Sequence, residues 1–217
     1  MKKFLKLLSA SALACIMILS SMVPIIAEEK NISFNVSQDI IIETQFPESD
    51  YFLSASVNDS EKKFTILDKS NIEVVSWIFD KNETNNSLMT RSISTYRHKY
   101  EVNLPSGTFV NEVALEKGGT NPYYQFNRFM YYNMYVIGDS AYQVVSEGID
   151  VSPTGPGGNN WPAVGARVSF TGIVGISVND TASITVGELI NIGFSETTTN
   201  HYTKRIYGDY TIKSTNW

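Results

Sequence analysis

The chain has 217 residues, 17 basic and 22 acidic side chains, a formal net charge of −5 and one cysteine. The acidic balance argues against nucleic acid as a partner, because such binding needs a basic footprint. The single cysteine excludes an internal disulfide framework, so packing alone must hold whatever fold forms.

The chain opens MKKFLKLLSASALACIMILSSMVPIIAEE: Lys2, Lys3 and Lys6, then a long apolar run, then Pro24 and Ala27 ahead of the acidic Glu28. This order predicts a secretory signal peptide over residues 1–27, cleaved after Ala27, and hence a secreted, extracellular protein. Ala12-Leu13-Ala14-Cys15 offers a second reading, a lipobox with an acylated Cys15. Against it, the residues after Cys15 stay apolar where an anchored chain should leave the bilayer, and position 12 is Ala instead of Leu. Residues 1–27 hold three lysines and no acids, so the remainder carries 14 basic residues (17 − 3) against 22 acidic ones, a charge of −8. That remainder, roughly 190 residues, can bury about 70% of its unfolded surface in one or two cores. It has no second apolar run of about eighteen residues, so no helical membrane span is expected in it. The lysine-led start and lack of other cysteines resemble an exported protein of a Gram-positive bacterium.

Beyond the leader, apolar and polar residues alternate with period two, the mark of half-buried strands. NISFNVS, DIIIETQF, YFLSASV, KKFTILD and IEVVSWIFD read as successive strands separated by the turn-formers FPESD, NDS and DKSN. KNETNNSLMTRSIS is polar and reads as a long loop or sheet crossing. STYRHKYEVNLPSG predicts a strand with Tyr96, His98, Tyr100 and Val102 on one face and Arg97, Lys99 and Glu101 on the other. LPSGTF, at its end, resembles the closing strand and turn of many bacterial immunoglobulin-like and pre-peptidase sandwich modules, a likeness that carries no functional residues over. A soft boundary at Lys117-Gly118-Gly119-Thr120 divides the chain into an N-terminal β-sandwich unit over 28–118 and a C-terminal β unit over 119–217, or one sandwich continues across both.

NPYYQFNRFMYYNMYVIGD (121–139) is dense in aromatic rings. As a strand it places Tyr124, Phe126, Met130, Tyr132, Met134 and Val136 on a core face, with Arg128 as an intruder. The other face then holds Tyr123, Gln125, Asn127, Phe129, Tyr131, Asn133 and Tyr135. A helix capped by Asn121 and stopped by Gly138 also fits, but Tyr, Phe and Asn are mediocre helix formers. SPTGPGGNNWP (152–162) reads as a loop. After it, ARVSFTGIVGISV and TASITVGELINIGF predict a long hairpin over 166–194. A turn at Asn179-Asp180-Thr181 would pair Val178 with Ala182, Ile176 with Ile184, Val174 with Val186 and Phe170 with Ile190. NHYTKRIYGDYTIK closes the chain with Tyr202, Ile206, Tyr210 and Ile212 in phase. The expected fold is therefore all-β, an antiparallel β-sandwich, immunoglobulin-like or similar, in one sheet unit or two.

Few residues carry recognisable chemistry. A nucleophile–base–acid arrangement needs a proton-shuttling histidine, and of the two available, His98 is in phase with core tyrosines and His201 starts a strand beside a turn. Neither sits in a metal-ligand spacing. Asp80, Asn82 and Thr84 begin like a calcium loop, but the turn glycine is missing and position twelve is Arg91. Gly155, Gly157 and Gly158 are interrupted by Pro156 and have no lysine after them, so they make no phosphate cradle. A glycosidase needs only two carboxylates, and the sequence singles out no pair. No catalytic residue, metal site or cofactor is expected.

Two functions fit this pattern. The first is a secreted, non-catalytic binding module of the bacterial exterior, its partner a cell-wall glycan or another surface protein. Its binding residues are Tyr123, Phe129, Tyr131, Asn133 and Tyr135, where flat rings and amides offer stacking and directional hydrogen bonds. The alternative is a membrane-active toxin or bacteriocin-like effector, because the 166–194 hairpin is similar in texture to the insertion hairpins of aerolysin-like toxins. Membrane contact belongs to that alternative alone.

Overall fold

The computed structural model describes residues 29–37, 40–80, 94–120, 123–156, 159–180 and 184–214. The leader with Cys15, the Asn-rich segment 81–93 and most of the calcium-like stretch after Asp80 lie outside these residues. Within them the chain forms mostly antiparallel sheet, in two six-stranded units consistent with a β-sandwich.

The front sheet is a meander in which each strand pairs with the next: β3 (Tyr51–Val57), β4 (Glu61–Asp68), β5 (Glu73–Asp80), β6 (Ser94–Leu104), β7 (Gly107–Thr120) and β8 (Tyr123–Gly138). The back sheet joins the chain's two ends. It runs β1 (Asn31–Asn35), β2 (Ile40–Pro47), β12 (His201–Ser214), β10 (Gly165–Ser177) and β9 (Tyr142–Thr154), with β11 (Ser195–Thr198) also paired to β12. One short helix, α1 (Val186–Asn191), and a 3-10 turn at Val178–Asp180 complete the described chain.

Alternation forces the sheets together. Tyr96, His98 and Tyr100 of β6 are buried, as are Val168, Phe170, Val174 and Ile176 of β10 and Tyr202, Ile206, Tyr210 and Ile212 of β12, the faces that the sequence indicates. Their rings meet across the interior. Trp77 lies 5.7 Å from Tyr210 edge-on, Tyr100 4.9 Å from Phe170, and Phe34 stacks on Phe64 at 4.5 Å. Pairs of this geometry add about 0.5–1.5 kcal/mol each beyond their burial. A single core cluster contains residues of both sheets.

Three readings of the sequence need correction. The 166–194 hairpin does not form: β10 is an inner strand flanked by β9 and β12, and the expected second arm winds into α1. The cause is local. Thr185 caps the helix and Glu188 returns the bond, a capping box that satisfies two otherwise orphaned amides, and Gly193 at φ 89° ends the turn. Ile190 and Val186, expected to meet Phe170 and Val174, are exposed instead.

The aromatic stretch is a strand, β8, and not a helix, but its faces do not alternate throughout. Register shifts opposite Ala114/Leu115 and Glu116/Lys117 make Met130 and Asn127 extra residues. Each β-bulge reverses the parity of the residues beyond it. Phe126, Tyr132, Met134 and Val136 keep their core-side places, whereas Phe129 turns inward and Met130 outward. The two bulges also resolve the Arg128 problem: the guanidinium emerges to solvent and donates to Glu116 at 2.8 Å.

Lastly, β7 and β9 are strands where the sequence suggested a boundary and unassigned chain. The Lys117–Thr120 stretch runs inside β7, paired to β8. Sheet membership does not divide at 118/119 either, because β1 and β2 belong with β9–β12.

Candidate ligand-binding face

The outer face of the front sheet is assembled by register. One row across five strands reads Lys63, Ile78, Lys99, Glu112 and Asn133, and its neighbour reads Thr65, Ser76, Glu101, Val110 and Tyr135. Tyr131 lies one step along, opposite Ala114, which itself pairs with Arg97. Val110 and Ala114 are fully buried although they point away from the sandwich interior. Longer neighbours must therefore lie over them, and the rings of Tyr135 and Tyr131 are directly opposite. Beside this patch, Ser60, Glu61, Ile78, Asp80, Lys99, Glu112 and the Arg97–His98 stretch line a concavity of about 350 Å³.

Tyr131 is 38% exposed and donates its hydroxyl to Glu112 Oε1 at 3.1 Å, so its ring is held by a partner yet open to solvent on one side. Tyr135 is half-buried. Burial raises its hydroxyl pKa first, Glu112 and Glu101 push the same way, and Lys99 opposes them. Asn133 is exposed opposite Glu112. Burial likewise raises the Glu101 carboxyl, with Lys63 and Lys99 working against it. The result is a face that presents rings, an amide and both signs of charge side by side.

Of the five residues that the sequence singles out, Tyr131, Asn133 and Tyr135 therefore share one outer face. Phe129 does not join them, because its bulge packs it against the core beside Tyr132 at 6.5 Å. Tyr123 stands near the start of β8 opposite Thr120, away from the concavity-side rows. Glu112 was missed, since β7 offered no alternation to place it: Val110 and Ala114 are apolar on its outer face and Asn111 is polar on its inner face.

Neither histidine turns its side chain toward this face. His98 is buried between the sheets with Nε2 2.5 Å from the Tyr210 hydroxyl, and His201 is exposed. Among the described residues no group of three or more His, Cys, Asp or Glu could hold a metal ion, and no helix is long and apolar enough to cross a membrane.

Comparison with family models, curated proteins and solved structures gave no match to the chain.

Proposed function

We infer that the chain is a secreted, non-catalytic binding protein of the bacterial exterior, and that Tyr131, Asn133 and Tyr135, with Glu112 and Lys99, form its ligand-contacting surface. The observation that carries this reading is the open Tyr131–Asn133–Tyr135 face next to a concavity lined by charges of both signs. A face this polar suits a hydrogen-bonding polymer such as a cell-wall glycan better than a flat apolar partner, because rings stack on sugar faces while amide and carboxylate groups read hydroxyls. A surface protein is the other ligand class. Export rests on the leader: mass spectrometry of protein from the medium should show a chain beginning at Glu28.

The ligand test is a pull-down on purified cell walls and on a panel of surface proteins. Tyr131→Ala and Tyr135→Ala should each weaken retention by roughly fivefold to a hundredfold, the loss expected when an aromatic interface anchor worth about 1–3 kcal/mol is truncated. Unaltered retention in the double variant would remove this face from the function. The membrane-active alternative drew on the two-stranded 166–194 hairpin, which is not formed, and a binding protein should release no dye from liposomes.

A further inference from the structure

We propose that β3 is a dimerisation edge, along which two copies of this chain pair antiparallel about a twofold axis centred on Ser54. Among the described residues β3 pairs only with β4, so the amides and carbonyls on its other side form an open ladder. Open edges invite another strand, and proteins blunt them with charge, proline, bulges or brevity. The other edges of the two sheets carry such devices. β8 has two bulges and Arg128. β9 has Glu147, Asp150, Pro153 and a register shift. β1 has five residues and an irregularity, and β11 has four residues.

β3 has none of these. Its seven residues, YFLSASV, are uncharged and free of proline, and its register with β4 is unbroken. Phe52, Leu53 and Val57 are 53%, 39% and 60% exposed. Leu53 and Ala55 lie opposite the core residues Ile66 and Phe64, so they stand on the inner side of the sheet, at its uncovered margin.

The edge is complementary to itself. Residues that face each other across a strand pair share a side of the sheet, so a symmetric antiparallel pairing must centre on a residue, and only a centre on Ser54 pairs all seven. In that register Leu53 meets Ala55 and Tyr51 meets Val57 of the second copy on the inner side. Phe52 meets Ser56, and Ser54 meets itself, on the outer side. No like charges meet, since Asp50 falls opposite Asn58 and Asp59 opposite Ser49. The interface is isologous and closed. Such an axis stands perpendicular to the sheet and turns both outer faces the same way. If the Tyr131 face binds a polymer, two faces then engage it together, and avidity results; dimerisation itself does not depend on that reading.

Sedimentation of the purified protein over roughly two decades of concentration should show a monomer–dimer equilibrium. Because both copies are acidic and the contact is uncharged, added salt should tighten it. Ser54→Lys, which places two ammonium groups at the axis, should give a monomer with an unchanged circular dichroism spectrum. For register, Ser54→Cys with Cys15→Ser should oxidise to a linked dimer, since opposed Cα atoms lie about 4.5–5.5 Å apart, within disulfide reach. Ser56→Cys, opposite Phe52, should link at least about tenfold more slowly. A monomer at every concentration, a dimer that survives Ser54→Lys, or equal linking of the two cysteine variants overturns the proposal. So does a monomer that instead takes up a strand of different sequence along β3, which would assign the edge to another chain.

Discussion

His98 shows what one residue contributes. It belongs to the inner row of β6, and its Nε2 meets the hydroxyl of Tyr210 from the opposite sheet. Burial holds its pKa down at about 3, against about 6.5 for an unfolded histidine. Between those values the unfolded chain binds a proton that the folded chain refuses. Stability therefore falls as pH drops through that window and is insensitive to this group above it, with a slope of up to about 1.4 kcal/mol per pH unit. In His98→Gln, overall stability should fall because the Tyr210 contact is altered, while the unfolding free energy measured by denaturant titration from pH 6.5 to 4 should lose about one proton's worth of slope relative to the wild type. Equal slopes in the two proteins would show that His98 is protonated in the folded state.

At the scale of elements, β7 and β10 pack against each other where β10 lacks a side chain. A Cβ on Gly172 of β10 would lie 2.8 Å from two ring carbons of Phe109, itself fully buried on β7. That buried ring stacks on Phe170, 6.3 Å away, so moving it disturbs its neighbours. Gly172→Ala should thus cost about 1–3 kcal/mol, the usual range for overpacking, read as a lowered denaturation midpoint. An unchanged midpoint would mean that β7 and β10 do not face one another here. Elements also explain which strands could be read in advance. β6, β10 and β12 keep one parity, so their core residues were legible from spacing alone. β8 and β9 contain bulges, and β7 carries Asn111 inward and Val110 and Ala114 outward, so no period-two pattern survives. The Thr185–Glu188 capping box was visible in TVGE, but the apolar alternation around it pointed to a strand.

The whole molecule is organised by its chain path. β1 and β2 start the back sheet, the chain then lays down all six strands of the front sheet, and it returns to finish the back one. The core lies between the sheets, with Trp77, Tyr100, Phe170 and Tyr210 at contact distance. Neither sheet can lose its partner without exposing those rings. Thermal unfolding should accordingly be a single transition, with the near-UV signal of the buried rings and the far-UV signal of the strands sharing one midpoint. Two separated midpoints would indicate units that unfold independently.

The sequence by itself determined the class of fold, the inner faces of the regular strands and the buried place of His98, because these depend on composition and period two. Tertiary structure decided the rest. Which strands pair, where a bulge turns Phe129 in and Met130 out, and how Glu112 comes to lie between Lys99 and Asn133 all depend on register between distant segments. A register shift leaves the local pattern intact while moving every side chain to a new neighbour.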